Sequence, residues 1–383
     1  MQPRILIMTA AYGEGHNAAA SALATAFNED APGTALVVDV FALSCPRLNG
    51  FIRRAYLAAI NGAPRLWRRV YAWMDRPGFM TSGVRMLRAQ SATLEAVIAR
   101  ERPVAICSTF PAYAALLARL AREGRFGTPH FNIVTDSISI NSVWWRSGCD
   151  GWFVPNEDSA DVMRAAGVDP SRLHVTGFPV TPFFRRNEGI VTRPQLSTGA
   201  APRVLYIINS GTRNAEATAR LLLAEGDWEI TCTVGRDEAL RRRLLLAAAR
   251  RPRGADILGW TDQIPRLLMT HHVVVSKAGG ATTQEAIAAR CPMVVNQVVP
   301  GQEEGNCELL LRHKAGALAT TPESVVATLR AAFAGGGQGW SAWRSALEPM
   351  ARPDAARVIA AHVLAHVNRG TGEPHAGLSA ALR

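Results

Sequence analysis

The chain has 383 residues, 48% of them hydrophobic, and 42 Lys and Arg against 31 Asp and Glu give it a formal net charge of +11. That length argues for two domains rather than one, and the basic excess points to an anionic partner, whether nucleic acid, a phosphate-bearing substrate or an acidic membrane surface. No segment is long and apolar enough to span a bilayer, and the six scattered cysteines show no CxxC and no Cys/His spacing suited to zinc, so reduced, buried thiols in the cytoplasm are expected.

The chain opens on an apolar run, "RILIMTA", that leads straight into "AYGEGH" with no cleavable small-residue site, so a first strand is expected rather than a signal peptide. Short apolar strands then alternate with helical segments. The candidate strands are "ALVVDVF", "VAICSTF", "HFNIVTD", "GWFVPN" and "LHVTGF", with helical stretches such as "ATLEAVIARE" and "EDSADVMRAAG" between them. Continuous apolar strands separated by helices predict a parallel sheet covered on both faces. Residues 47–88 interrupt this pattern. They are dense in arginine and aromatics, including Trp67, Tyr71, Trp73 and Phe79, and nearly free of acid, a composition suited to a segment lying on anionic lipid. It would equally suit nucleic acid, or a helical insertion with aromatic core residues and solvated arginines.

Residues 179–202, rich in proline, glycine and polar side chains, read as a linker. The alternation then restarts with "RVLYIIN", "EITCTVG", "ADILGW", "VVVSKAG" and "PMVVNQ" as strands. The expected organisation is a first Rossmann-like domain over residues 1–183, a second over 201–336, a helix at about 340–367 that packs back on the first domain, and a tail at 368–383.

Three stretches carry chemistry. "GEGHNA" matches G-x-G-x-x-A with Gly13, Gly15 and Ala18, and Asp39 follows at the end of a second strand, which allows a dinucleotide site. His16 fits that reading poorly, because a side chain there would crowd a pyrophosphate. At the carboxyl end of the first strand it suits a general base, a titratable imidazole beside a ligand cleft. A helix cap or turn filler is the structural alternative. "SKAGGATTQEA" places Gly279 and Gly280 at a helix N-terminus, where free N–H groups and the helix dipole bind phosphate. Thr282 and Thr283 add hydroxyls, and Glu285, one turn on, can reach a ribose diol. "NQVVPGQEEGN" sets Gln302 and Glu303 in a turn, where amide and carboxylate pair with sugar hydroxyls. Together the last two read as a nucleotide-sugar site.

With "VTDSISINSVWW", "VTGFPVTPFF" and "LGWTDQIPRLL", these motifs resemble those of the diacylglycerol glycosyltransferases of glycosyltransferase family 28, which include the monogalactosyldiacylglycerol synthases and the bacterial processive diacylglycerol glucosyltransferases. The resemblance runs from about residue 4 to 317. It implies an α/β, GT-B fold, two Rossmann-like doubly wound domains facing a cleft, and metal-independent, inverting transfer of a hexose. UDP-sugar is then a substrate and no cofactor is needed. The resemblance makes His16 and Asp136 catalytic. It assigns the donor to Gly211, Gly279, Gly280, Thr282, Thr283, Glu285, Gln302 and Glu303. The acceptor, diacylglycerol or a glycolipid, is then expected at Gly13, Gly15, Asn141 and Trp144, and the anionic membrane at Trp67 and Trp73 of the arginine-aromatic segment. The expected location is the cytoplasmic face of the membrane, peripherally bound, with no nucleic acid partner. Two departures stand out. Asn141 sits near the place of a family histidine and cannot act as a base, and Gly211 is alone where a glycine-rich turn is expected. A lipid-independent nucleotide-sugar epimerase, a nicotinamide-dependent oxidoreductase and a non-enzymatic lipid- or nucleic-acid-binding protein are the competing readings.

Overall fold

The computed structural model describes residues 4–62, 69–70, 73, 75, 87–209, 212–301 and 303–371. They form two compact units, residues 1–182 with 352–383, and residues 183–351.

The first unit is built on strands β1 (Ile5–Met8), β2 (Ala35–Val38), β3 (Ala105–Ser108), β4 (His130–Ile133), β5 (Gly151–Val154) and β6 (Leu173–Val175), all parallel in the order β2-β1-β3-β4-β5-β6. Its helices are α1 (Glu14–Asp30), α2 (Val40–Ser44), α3 (Pro46–Gly62), α4 (Arg88–Glu101), α5 (Ala112–Arg122) and α6 (Glu157–Ala165). The central strands β1, β3, β4 and β5 are buried at every position because both faces are covered. Ile5 and Ile7 pack with Ala20, Leu23 and Phe27 of α1, while Leu6 and Met8 pack with Leu94 of α4 and Leu116 of α5. The chain leaves β1 toward β2 and returns to β3 on the other side, so the strand order reverses between β1 and β3. Such a reversal opens a crevice at the carboxyl ends of the strands, where open α/β sheets take their ligands.

The second unit begins with α7 (Phe183–Arg186). Its strands β7 (Arg203–Ile207), β8 (Glu229–Thr233), β9 (Ala255–Leu258), β10 (Val273–Lys277), β11 (Met293–Gln297) and β12 (Gly316–Leu318) are parallel in the order β12-β11-β10-β7-β8-β9. This is the strand order of a dinucleotide-binding sheet, with its reversal between β7 and β10. Helices α8 (Ala215–Ala224), α9 (Glu238–Ala248), α10 (Ile264–Thr270), α11 (Gly280–Ala288), α12 (Glu304–Arg312) and α13 (Pro322–Leu347) accompany it.

Two sequence expectations change. Residues 340–367 are not one helix. α13 ends at Leu347 in the second unit, and α14 (Ala355–Thr371) starts in the first, where Ile359, Ala360 and Val363 join the face of β1 and α1. Pro353 lies in the turn between them, where a proline's fixed φ and missing N–H disfavour a continuous helix. The stretch read as a linker is docked on its unit. Arg193 donates to the carbonyls of Arg290 (2.7 Å), Leu268 (3.0 Å) and Ala289 (2.9 Å), and Leu196 enters the core.

Candidate active site

The strand ends of the first unit bring His16 into contact with residues far away in sequence. Met8 is level with Val38 and with Ser108, so the residues after β1, β2 and β3 emerge together. Gly13 caps α1 at φ 156°, ψ 144°, a conformation glycine tolerates and side chains resist. That turn sets His16 in the first turn of α1. Its Nδ1 lies 2.6 Å from the Thr109 carbonyl and 3.0 Å from the Thr135 hydroxyl. A carbonyl only accepts, so Nδ1 carries the proton and Nε2 keeps its lone pair. Phe110 meets the ring edge-on with centroids 5.2 Å apart, and Trp144 lies at 6.3 Å. Burial in this aromatic setting lowers the imidazole's pKa to about 4, with the Thr109 bond opposing the shift. The N-terminus of α1 acts in the same direction, since its dipole disfavours a cation. His16 is therefore a neutral imidazole at pH 7, with its tautomer set from the β3 end.

Asp136 follows Thr135 and accepts from Trp144 Nε1 at 2.8 Å. Burial raises its pKa to about 6, and the Trp144 bond opposes that shift. Trp144 is wholly buried in the core. It cannot touch an acceptor or a membrane, and its role is to hold the Asp136 carboxylate. Asn141 caps the 3-10 turn Ser142–Trp144 by accepting from Val143 N at 3.1 Å. Asp75 reaches the same turn and accepts from Ser142 N at 2.7 Å. Trp73 is exposed, whereas Trp67 lies outside the described residues. Asp39 is not placed as a ribose ligand. Its two carboxylate oxygens accept from Ala11 N (3.0 Å) and Ala42 N (2.8 Å), capping α2.

In the second unit, β10 ends at Lys277, and Gly279 caps α11 directly after it. The free N–H groups of that helix start suit phosphate. Gly280 and Thr282 lie in its first turn. Thr283 does not take part: it is fully buried and contacts Met293 Sδ at 3.8 Å. Glu285 is partly buried, and desolvation raises its carboxyl pKa to about 7. Glu303 also departs from the sugar-binding expectation. It is buried, with one oxygen ion-paired to Lys277 and the other accepting from Val299 N at 3.0 Å. Gln302 and Gly211 lie outside the described residues.

Three residues escaped the sequence reading: Thr109 and Thr135, which orient His16, and Lys277, which meets Glu303. Thr135 and Lys277 stood inside quoted motifs, but nothing local distinguishes a hydroxyl or an ammonium aimed at a site from one in solvent.

Comparison with known proteins agrees with this fold. The sequence profile of the monogalactosyldiacylglycerol (MGDG) synthase family matches residues 16–180, within the first unit. The chain is 26% identical over 311 residues to a processive diacylglycerol beta-glucosyltransferase of Bacillus cytotoxicus, 79% of each chain. It is 24% identical over 370 residues to that of Bacillus cereus, covering 95% of this chain and 94% of the relative. Solved structures with the same fold include a UDP co-structure of S. aureus MnaA (TM-score 0.63, 12% identity, 97% and 99% of the two chains). A calicheamicin glycosyltransferase, CalG4, has a TM-score of 0.59 at 14% identity over 98% and 100% of the chains. A UDP-N-acetylglucosamine 2-epimerase from Listeria monocytogenes has a TM-score of 0.61 at 13% identity over 96% and 97%. Two Rossmann-like sheets in one chain make this the GT-B fold, and the resemblance read from the sequence motifs holds along nearly the whole chain.

Proposed function

We propose that this chain, a GT-B relative of the diacylglycerol glycosyltransferases, is an inverting hexosyltransferase that moves a sugar from a UDP-sugar to diacylglycerol or a glycolipid at the cytoplasmic membrane face. The observation that carries the reading is His16, held at the β1/β3 reversal as a neutral imidazole with Nδ1–H on the Thr109 carbonyl. Nε2 takes the proton from the acceptor hydroxyl. The acceptor oxygen attacks the anomeric carbon from the face opposite the diphosphate. The carbon–oxygen bond to the β-phosphate breaks and UDP leaves with that electron pair. The N-terminus of α11 stabilises the charge that develops on the diphosphate, which is our reason for a metal-independent step.

A lipid acceptor keeps its hydroxyl at the headgroup plane, so the enzyme must come to a membrane. No helix among the described residues is long and apolar enough to cross one. Leu48, Phe51 and Ile52 of α3 are exposed beside Arg47 and Arg54, which suits a helix lying in the interface.

Purified protein with anionic liposomes containing diacylglycerol, given UDP-glucose, UDP-galactose, UDP-N-acetylglucosamine or UDP-glucuronate, is expected to yield a lipid heavier by one sugar for one donor. His16→Ala should cut the rate about a hundred- to ten-thousandfold, the usual contribution of a general base. Activity that persists in EDTA supports metal independence. The epimerase among the structural relatives defines the opposing result: lipid-free conversion of UDP-N-acetylglucosamine with no lipid product would replace this reading.

A further inference from the structure

The ion pair beside α11 is lopsided. Glu303 is buried, and both its oxygens are committed, one to Lys277 and one to Val299 N. Lys277 is the open member, with 26% of its side chain exposed against 6% for Glu303. An ammonium has three N–H donors, and Glu303 takes one. The position of Lys277 is built. Pairing between β10 and β11 runs Ser276 with Val295 and then Lys277 with Gln297, skipping Asn296. A bulge of this kind re-aims the side chain next to it. The ammonium lies 3.3 Å from where a Cβ on Gly279 would stand, which places it close against the cap of α11. Nearby, Asn306 is 3% exposed and donates to the Ala278 carbonyl at 3.1 Å, while its side-chain oxygen has no partner. A buried acceptor without a donor beside a helix start is a place a ligand hydroxyl or a displaced ammonium would fill.

We propose that Lys277 binds the diphosphate of the nucleotide-sugar donor, and that Glu303 is a positioning residue that holds the ammonium over the α11 N-terminus instead of contacting sugar. The inference rests on the nucleotide-sugar reading of this site and adds a named cation to it. The chemistry fits the direction of charge development. A diphosphate diester gains one negative charge as it leaves, and an ammonium anchored by a buried carboxylate is already in place to receive it. Glu303 cannot serve as a sugar ligand without giving up the bond that fixes the lysine.

The test separates phosphate from nucleoside. Titration calorimetry on the full chain would compare UDP with uridine for the wild type, Lys277→Met, Lys277→Arg and Glu303→Gln. The wild type should prefer UDP. Lys277→Met should lose about ten- to a hundredfold in UDP affinity, the range for a charged hydrogen bond, and keep its uridine affinity. Lys277→Arg should recover part of the loss, which a merely structural lysine would not show, and thermal melting checks that each variant folds. Glu303→Gln should weaken UDP while sparing uridine. A Lys277→Met variant that keeps the full UDP preference overturns this proposal and leaves the nucleotide-sugar reading standing. A wild type that binds no UDP overturns both.

Discussion

At His16 and Asp136, burial moves two pKa values in opposite directions and past each other. The imidazole falls to about 4, and the carboxyl rises to about 6. A base with a depressed pKa is neutral in the folded chain throughout pH 5–8. Its cost to stability appears as pH falls from the unfolded value near 6.5 toward 4, where the unfolded chain binds a proton that the folded one refuses. Asp136 works the other way. Its raised pKa makes ionisation costly as pH rises from about 3.8 through 6. If transfer needs Asp136 as a carboxylate, kcat/KM should climb with an apparent pKa near 6, well above the histidine's own. Asp136→Asn should erase that limb and leave any inflection near 4. A wild-type profile flat between pH 5 and 7 would remove Asp136 from the reaction. Both residue types and both positions were readable in the sequence. Their protonation states were not, because these depend on burial in the folded chain, and the imidazole's tautomer depends on Thr109, 93 residues from His16.

At the scale of elements, most strands emerge where apolar runs between helix-patterned segments placed them, since a strand buried on both faces has few alternatives. Helix boundaries were less legible. α13 contains four consecutive non-helical residues, Ala334 to Gly337, and the three glycines hold φ of 59°, 72° and 83°. The break falls where the sequence reading ended the second domain, at residue 336, and consecutive glycines disfavour a continuous helix there. At Gly337 the constraint is doubled: a Cβ would also lie 2.6 Å from Leu196 Cδ1. Gly337→Ala is expected to cost about 1–3 kcal/mol, from left-handed strain and the displaced leucine. A fall in the denaturation midpoint would show it, and a midpoint within error of the wild type would mean that Leu196 and the turn relax freely. The same logic explains Gly177, at φ 97° with Arg352 Cβ 2.7 Å from its missing Cβ, which lets the chain before α14 lie close to the end of β6.

Over the whole molecule, the net charge of +11 and the exposed apolar side chains of α3 predict a membrane attachment with two separable parts. Sedimentation with anionic vesicles should weaken as salt rises from about 0.1 M to about 1 M, where the screening length falls from about 10 Å to about 3 Å. A fraction should survive high salt, and the combined Leu48→Ser and Phe51→Ser variant should abolish it. Vesicle binding that is absent at low salt, or unchanged in that variant, would remove α3 from the interface.

The amino-acid order alone determined the parts of this protein: two runs of alternating strand and helix, a glycine turn ahead of a histidine, and a second glycine turn ahead of a helix. Hydrophobic period and glycine placement are local properties, and local properties can be read along a chain. Tertiary structure decided what those parts do. It put the Thr109 carbonyl against His16 Nδ1 and so left the lone pair on Nε2. It buried Trp144 and turned an expected acceptor wall into the support of a carboxylate. It joined Glu303 to Lys277 across 26 residues, so that a predicted sugar ligand has both carboxylate oxygens committed within the protein. Each of these depends on which strand ends are neighbours and on how much water is excluded there, and neither exists until the sheet has formed.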